Sequence, residues 1–328
     1  MPWYLPGLHK KLKTIKLKIM KKLNNHFPSI LRETILCLLT FWFTSWNGVM
    51  AQDSTATATE TETVNKPRPV NIFESQLIID NQTVMVSRKK VLNFAIQHRF
   101  GTISNGLKDL YGIFGPANIR LGFNYTPINN LDIGFGVSKE RFIVDFNAKY
   151  ALVKQMDSGG WPVSISYFGN IAIDTREKKG NFVTGGDRIS YFNQLMIARK
   201  ISEKLSVQVS PSLSHFNNVE AYRDKNGNIL PKMNNDHFAV SFLGRYKLTE
   251  KFHLIANYDQ PLTKHTTNNP QPNICFGIEM TTSGHSFQVF AGNSGNIVPQ
   301  YVNFYNQNDY RKGEFLIGFN ITRRWNFN

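Results

Sequence analysis

Cysteine is scarce in this sequence, which limits what disulfide chemistry could contribute to the fold. Cys37 and Cys275 are the only two cysteines among the 328 residues. We expect Cys37 to be removed with an N-terminal signal, so that Cys275 is the single cysteine of the mature chain and an intramolecular disulfide is excluded. No cysteine stands at the expected cleavage point either, so the sequence does not indicate a lipoprotein.

Long apolar runs and catalytic motifs are also missing. After residue 51 no segment offers about 18 uninterrupted apolar residues, so the sequence excludes a membrane-spanning helix there. It contains no G-x-S-x-G elbow, no phosphate-binding P-loop and no H-E-x-x-H pair. A hydrolase on the barrel surface would place Ser and His side by side. Ser214 and His215 are adjacent in the sequence, but consecutive residues of a strand point to opposite faces. We therefore predict no enzyme activity, no catalytic residue, no metal and no cofactor.

Positive charge is abundant but unevenly distributed. The formal net charge is +15, and seven of these charges fall in residues 1–51. There a basic region precedes the apolar run from Ile35 to Trp46, and Val49-Met50-Ala51 supplies the small residues that a signal peptidase requires. We predict a signal peptide with an extended basic n-region over 1–51, starting at Met1 or Met20. The charge therefore does not indicate a nucleic-acid partner.

Two segments separate this signal from the regular part of the chain. Residues 52–70 are rich in Thr, Ala and Glu and cannot bury enough apolar surface to fold, so we predict a disordered periplasmic leader that could tether a partner. Within residues 71–90, Leu77-Ile78-Ile79 and Val84-Met85-Val86 flank Asp80-Asn81-Gln82-Thr83. This pattern predicts a short periplasmic segment or hairpin that caps or enters the mouth of a barrel.

The last residues of the chain alternate in polarity. Phe319, Trp325 and Phe327 share one parity, whereas Asn320 and Arg324 share the other. Such a strand has one apolar and one polar face. In bacterial outer-membrane barrels the final strand pairs with the first, because the sheet can leave no open edge in lipid. We therefore predict that Phe319, Trp325 and Phe327 close a barrel.

The same alternation recurs from Val91 onward and predicts twelve strands. The fold class that follows is all-β: a transmembrane antiparallel up-and-down β-barrel over residues 91–328. Five of the six connections at one predicted end are long, and four of the five at the other are tight, which is the asymmetry of outer-membrane barrels. A soluble β-sandwich also alternates apolar and polar residues, but it needs neither sorted loops nor a closing aromatic strand.

Strand parity also predicts which charged residues face the lumen. Opposite charges there either pair into a salt-bridged plug or line a water-filled channel, and parity does not separate the two. The predicted lumen-lining residues are Arg99, Arg120, Asp132, Asp145, Lys149, Asp174, Arg245, Lys247, Asp259, Glu279 and Arg324.

Three functions are compatible with such a barrel. The first is a narrow channel or solute-transport barrel, and the second is a closed scaffold or binding barrel that engages envelope partners. The third, an outer-membrane enzyme, lacks supporting motifs. Basic residues of the long loops could bind lipopolysaccharide phosphates or could simply be solvated; they are Arg176, Lys178, Lys179, Arg188, Lys232, Lys264, Arg311 and Lys312.

Several strings are similar to those of a Bacteroidota family of outer-membrane β-barrels of unknown function. They are His98-Arg99-Phe100-Gly101, Asn118-Ile119-Arg120-Leu121-Gly122-Phe123, Ile197-Ala198-Arg199-Lys200, Leu243-Gly244-Arg245-Tyr246-Lys247-Leu248 and Gly318-Phe319-Asn320-Ile321-Thr322-Arg323. The resemblance runs from about residue 71 to the C-terminus. It implies a barrel in the cell outer membrane, surrounded by lipid and lipopolysaccharide, and it transfers no catalytic residue. We also expect the barrel-assembly machinery as a partner.

Overall fold

The computed structural model describes residues 67–177, 180, 182–231 and 233–327. The predicted signal peptide and residues 52–66 of the predicted leader lie outside the described residues. Twelve of the strands form a closed barrel in which each strand pairs antiparallel with its neighbours. The predicted fold class is thereby confirmed, and so is the number of barrel strands.

The barrel strands are between 8 and 12 residues long. β3 to β9 and β12 to β16 make the barrel, β1 pairs with β2, and β10 pairs with β11 in a long loop. In chain order the strands are β1 (Leu77–Ile78), β2 (Asn81–Gln82), β3 (Val91–Thr102), β4 (Asn118–Ile128), β5 (Leu131–Ser138), β6 (Ile143–Val153), β7 (Ser164–Asp174), β8 (Ile189–Lys200), β9 (Leu205–Phe216), β10 (Ala221–Arg223), β11 (Ile229–Pro231), β12 (Asp236–Lys247), β13 (Phe252–Pro261), β14 (Asn273–Thr281), β15 (His285–Gly292) and β16 (Leu316–Asn326).

The helical segments are short. A two-turn α-helix, α1 (Pro299–Tyr305), lies in the loop between β15 and β16, and 3₁₀ turns occur at Ile103–Asp109, Glu140–Phe142, Gly186–Arg188 and Tyr310–Lys312. Within the described residues, no helix combines the length and the apolar composition of a membrane span.

The apolar face of each strand points away from the lumen. On β12, for example, Phe242 is 46 % exposed, whereas its neighbours Ser241 and Leu243 are buried. Phe123 lies between Phe94 and Phe135 on the outer face, with ring centroids 4.8 and 5.2 Å apart. A continuous apolar outer surface of this kind is stable in lipid, where the closed sheet leaves no unpaired backbone group.

The barrel closes between its first and last strands. β16 pairs with β3, and the register places Phe319 opposite His98 and Trp325 opposite Leu92. The rings of Phe319 and His98 stack with centroids 4.9 Å apart. Phe327 lies one residue beyond β16, where its N–H donates to the carbonyl of Lys90 at 2.9 Å. The predicted closing strand therefore forms, and it spans Leu316–Asn326.

The connections sort onto two mouths. The long-loop mouth carries the connections of residues 103–117, 175–188, 217–235, 262–272 and 293–315, together with the short turn 139–142. The short-turn mouth carries residues 129–130, 154–163, 201–204, 248–251 and 282–284. The arrangement matches the predicted alternation of long and tight connections. In outer-membrane barrels the short turns face the periplasm.

A lipid-facing charge should be most costly at the middle of a strand. Phe242 is the seventh residue of β12, and Phe252 is the first residue of β13 at the short-turn mouth, with nearly equal exposures of 46 % and 43 %. We expect Phe242→Arg to lower the free energy of unfolding by about 2–4 kcal/mol and Phe252→Arg by less than about 1 kcal/mol, because the cost of a cation falls toward the membrane interface.

Denaturant unfolding of the protein refolded into lipid vesicles measures both values. Equal losses for the two variants would contradict the assignment of this surface to the lipid.

Candidate functional site in the barrel lumen

The structure places the predicted lumen-lining charges in two settings. Lys247 and Arg324 are only partly buried and lie at the short-turn mouth, where Lys247 pairs with Glu250 at 2.6 Å. The other nine are buried inside the barrel: Arg99, Arg120, Asp132, Asp145, Lys149, Asp174, Arg245, Asp259 and Glu279. These nine side chains require partners in the interior, since a buried charge without one is strongly destabilising.

A segment of the same chain fills the lumen. We call residues 68–87 the plug. It reaches the barrel at the short-turn mouth, where Val70 N–H donates to Gln155 O at 2.8 Å and the N–H of Asp157 donates to Arg68 O at 3.0 Å. Its β1–β2 hairpin lies deep in the interior, and Ile78 and Ile79 are fully buried. Residues 68–70, which the sequence assigned to the leader, are thus part of an ordered contact.

Two glutamines of the barrel wall bind the backbone of the plug. Gln208 donates from Nε2 to Gln82 O at 2.8 Å and accepts from Val84 N–H at 2.9 Å. Gln288 binds the other arm in the same way, donating to Leu77 O at 2.8 Å and accepting from Ile79 N–H at 3.0 Å. These two amides supply the hydrogen bonds that a neighbouring strand would otherwise give, so the backbone of the hairpin is satisfied without joining the barrel sheet.

Ile79, at the hairpin turn, has a backbone conformation that a β-branched residue rarely adopts. Its φ is +52°. Besides the bond to Gln288, its carbonyl accepts from Asn320 Nδ2 at 2.9 Å and from the Arg99 guanidinium at 3.3 Å. Such a strained residue persists only where its surroundings fix it, and strain of this kind costs about 1–3 kcal/mol. The wall therefore determines the shape of the plug tip.

Buried charges join the plug to the wall. Arg99 and Asp80 form an ion pair at 2.7 Å with both side chains fully buried, and Asp80 also accepts from Asn273 at 3.0 Å. On the opposite arm, the Lys149 ammonium donates to Gln82 Oε1 at 3.0 Å and to Thr83 O at 3.2 Å. One cation of the wall thus binds a plug carboxylate, and another binds plug carbonyl oxygens.

Other predicted charges pair within the wall. Arg120 donates to both carboxylate oxygens of Asp145, at 2.7 and 2.8 Å. Arg245 donates to Glu279 at 2.9 Å, and Glu279 also accepts from Ser75 of the plug at 2.7 Å. Strand parity left open whether the lumen charges pair or line a water-filled channel. In the structure they pair, and the pairs include groups that belong to the plug.

The lumen wall carries an apolar patch that was not predicted from the sequence. Five apolar side chains of the plug pack against apolar side chains that point inward from six barrel strands. The sequence contains a signal for this patch, because these apolar wall residues stand on the strand face that otherwise carries polar residues. The plug members are Ile72, Phe73, Ile78, Ile79 and Val84, and the large wall members are Phe168, Phe192, Met196, Leu243, Ile255 and Phe290.

A second obstruction lies at the long-loop mouth. Helix α1, which we call the lid, lies there with its Phe304 and Gln300 side chains buried. Gln300 Nε2 donates to Asn170 Oδ1 at 3.0 Å. Phe304 packs on Phe216 of β9 with centroids 4.5 Å apart. The described residues therefore close the lumen from both mouths, with the plug at one and the lid at the other.

Two histidines fasten the lid to the wall. His237 Nδ1 and His265 Nε2 are 3.0 Å apart, and His265 Nδ1 accepts from Asn234 N–H at 2.9 Å. These contacts require a neutral His265 that carries its proton on Nε2 and donates it to His237. Both rings contact Phe304 of the lid, with centroids 5.1 and 5.7 Å away. A proton added to either ring would place two N–H donors opposite each other, so a hydrogen bond of the pair would be lost.

Ser214 and His215 lie on opposite faces of β9. Ser214 is buried on the lumen side, whereas His215 faces outward and binds Asp236 at 2.7 Å, as consecutive residues of a strand must. Within the described residues, no group of three or more His, Cys, Asp or Glu side chains is arranged to hold a metal ion.

The fold and the filled lumen define the class of the protein. A closed antiparallel barrel with an apolar outer face and a polar interior is an outer-membrane β-barrel, and the protein is located in the outer membrane. Residues 73–325 match the model of the family described as membrane-bound beta barrel domain, DUF5777. The chain belongs to this family, and the expected resemblance to a barrel family of unknown function is confirmed at that level.

The chain also matches solved structures at low similarity. The NanC porin has a TM-score of 0.43 and 10% identity, with 72% of this chain and 100% of the porin covered. An outer-membrane channel from Pseudomonas putida F1 has a TM-score of 0.44 and 10% identity, with 74% of this chain and 97% of the channel covered. At such values the likeness carries no argument about function. No curated protein matches the sequence.

Removal of the plug carboxylate should loosen the plug. Asp80→Asn leaves Arg99 buried without its counter-ion, which costs about 3 kcal/mol and corresponds to an opening roughly a hundred times more frequent. Cys275 reports the opening, because it is buried against Asp80 with its Sγ 3.4 Å from Oδ2. In a Cys37→Ser background, we expect a water-soluble maleimide to label Cys275 correspondingly faster in Asp80→Asn.

The matched control is Lys247→Gln, which breaks the exposed pair with Glu250 and should leave the labelling rate close to that of the parent. An unchanged rate in Asp80→Asn would show that the buried pair does not hold the plug.

Acidification should release the lid. Burial lowers the pKa of His265 below its usual value of 6.5, so the closed lid favours the neutral ring. The contribution of the neutral pair to lid closure is therefore complete above pH 6.5 and is lost as the pH falls below it toward the lowered pKa. We expect amide hydrogen exchange of residues 299–305, corrected for its intrinsic pH dependence, to accelerate between about pH 7 and pH 5.

The double variant with His237→Asn and His265→Asn should remove this pH dependence, because neither asparagine titrates. Equal protection of α1 in the parent at both pH values would contradict the role assigned to the histidine pair.

Proposed function

We propose that the protein is a gated solute channel of the outer membrane, closed at rest by its own plug. One observation carries this proposal: the main obstruction is a separate N-terminal segment that reaches the barrel at the short-turn mouth. Its contacts with Gln208 and Gln288 use its backbone, and the barrel ladder runs from β3 to β16 without it. The wall would therefore remain complete if the plug moved out.

The wall behind the plug suits a polar solute. Once the plug is displaced, neutral amides and hydroxyls would face the lumen beside the paired charges, and such a lining conducts polar molecules without trapping them. The buried neutral polar side chains of the wall include Gln97, Ser166, Asn170, Gln194, Gln208, Ser210, Asn257, Gln288 and Asn320.

The energy of the plug contacts decides whether the channel opens unaided. Five buried apolar side chains of the plug contribute about 1.5–3 kcal/mol each, or roughly 8–15 kcal/mol together, as an upper estimate. A plug held by that much free energy leaves the lumen too rarely for passive conduction. Opening thus requires an input, and a periplasmic partner that binds the leader beside Arg68 and Pro69 could supply it.

A closed scaffold or binding barrel is the second candidate function. It is favoured by the presence of two obstructions, since Phe73 of the plug and Phe304 of the lid are both fully buried. On this hypothesis the plug is a permanent core that replaces water in the lumen, and the long loops bind partners. The two hypotheses differ in what the barrel does once the plug is absent.

The remaining expectations belong to the same proposal. The wall and loops act in binding and passage, without enzyme activity and without a nucleic-acid partner. The closing strand, with Phe319, Trp325 and Phe327, is the segment that we expect the barrel-assembly machinery to recognise. Exposed basic groups of the long loops, among them Arg311 and Lys312, suit lipopolysaccharide phosphates. We also propose a Bacteroidota origin, from the strings quoted above.

Planar-bilayer conductance of a plug deletion tests the channel. We expect the parent protein to show no steady current, because its lumen is filled, and a variant lacking residues 68–87 to conduct little, because the lid still covers the long-loop mouth. A variant that lacks both residues 68–87 and residues 297–307, which include the lid, should conduct steadily. Deletion of the β10–β11 hairpin, residues 221–231, is the matched control and should leave the parent behaviour unchanged.

The double variant with Gln208→Ala and Gln288→Ala loosens the plug without a deletion, and in it we expect faster labelling of Cys275. A folded barrel that lacks both plug and lid and still passes no current at any voltage would refute the channel and favour the scaffold.

A further inference from the structure

A cavity opens at the long-loop mouth beside the lid. Its volume is about 160 Å³, and it is bounded by the outer ends of three barrel strands, β7, β8 and β9, and by α1. The turn before β6 contributes Arg141, the loop after β7 contributes Arg176 and Phe182, and the lid contributes Tyr301 and Tyr305. Neither the plug nor the proposed passage uses these side chains.

Two arginines of the cavity lie on aromatic rings. The guanidinium of Arg188 is 4.5 Å from the ring centre of Phe182, and that of Arg141 is 4.8 Å from Tyr305 and 5.5 Å from Tyr301. Within the part of the chain that the structure describes, neither arginine forms an ion pair. Stacking places the guanidinium of Arg141, whereas Arg188 Nη1 also donates to the carbonyls of Asp174 and Arg176. The other N–H groups of the two guanidinium groups remain available to a ligand.

The carboxylates around the cavity are engaged elsewhere. Asp174 is bound by Arg176 at 2.7 Å. Asp187 accepts from the N–H groups of residues 183 and 184 at 2.8 Å, and Glu220 accepts from Asn268 at 2.9 Å. The positive charges of Arg141 and Arg188 are therefore not neutralised by a direct contact, although acidic residues lie nearby.

The tyrosines add neutral donors to the same wall. Burial raises the pKa of Tyr301 and of Tyr305 to about 12, so both hydroxyls keep their protons at neutral pH. A protonated hydroxyl can donate to an anion without repelling it. The cavity thus combines two arginines that stack on aromatic rings, a third that is paired with Asp174, two phenol hydroxyls and four aromatic rings.

We propose that this cavity binds a small molecule in which a carboxylate is carried on a six-membered ring. A cavity of about 150 Å³ accommodates a benzene-sized ring, and this one is of that size. Guanidinium forks bind carboxylates through paired hydrogen bonds, and aromatic faces stack on planar or sugar rings. The site does not depend on conduction through the barrel, so it can exist whether or not the plug moves.

Isothermal titration calorimetry of the refolded full chain in detergent tests the site. Benzoate and glucuronate represent the aromatic and the sugar forms of a ring carboxylate, and benzyl alcohol and glucose are their neutral counterparts. We expect saturable binding of at least one carboxylate, at least about tenfold tighter than its neutral counterpart, because a hydrogen bond to a charged group contributes that much. The preferred member identifies the source of the ligand.

Substitutions locate the binding. Arg141→Gln and Arg188→Gln should each weaken binding about tenfold. Arg223→Gln, which changes an exposed arginine of β10 outside the cavity, is the control and should have no effect. Protection of α1 against hydrogen exchange verifies that each variant keeps its lid.

Three results would overturn the proposal. They are the absence of binding for both carboxylates, equal affinity for a neutral counterpart or for inorganic phosphate, and unchanged binding in the double variant of Arg141 and Arg188 with an intact lid. The conductance experiments are independent of all three, so failure of the channel would not be mistaken for failure of this site.

Discussion

The requirement that every backbone polar group in lipid has a partner within the protein determines the rest of this structure. It forces the sheet to close, and closure with twelve strands sets a lumen of limited width. Strand alternation then directs half of the side chains into that lumen. Because nine of the predicted lumen charges end up buried, the interior must supply their partners, and the wall alone does not do so.

The plug supplies partners for buried charges of the wall, and single side chains of the two contact each other directly. Arg99 shows this, since its guanidinium binds Asp80 of the plug and lies 4.5 Å from the ring centre of Phe290. The arrangement needs a glycine at position 318, because a Cβ there would come within 2.7 Å of Phe290 and 3.0 Å of the Arg99 side chain. The closure of the sheet, the buried ion pair and the position of the plug thus all depend on residues of the neighbouring strands β15, β16 and β3.

Sequence reasoning recovered the parts that depend on local pattern. Alternation located the twelve strands, and the residue counts between them sorted the mouths, since both are properties of one strand or one connection. It left open whether the hairpin at Leu77 and Ile78 caps the mouth of the barrel or enters the lumen. That destination depends on inward apolar residues such as Phe168 and Phe290, which lie on strands far apart in sequence and share one patch only after the barrel closes.

The lid was missed for a related reason. Tyr301 and Phe304 lie in a long loop, where a seven-residue helix gives too little periodicity to recognise. Their partners, Phe216 and the histidine pair, come from other connections and strand ends. Likewise, the cavity beside the lid collects Arg141 and Arg188 from segments on opposite sides of two barrel strands. No spacing rule in one sequence identifies such a set.

The two closures differ in kind, and that difference constrains how passage could be controlled. The plug is held by backbone hydrogen bonds, by buried apolar surface and by an ion pair, so it responds to force or to binding at its exposed end near Arg68. The lid is held by aromatic contacts and by a histidine pair that accepts no proton without losing a hydrogen bond. A signal that opens one closure leaves the other in place. A molecule that reaches the cavity beside the lid from outside therefore meets a closed plug, and passage requires the two mouths to be released by separate events.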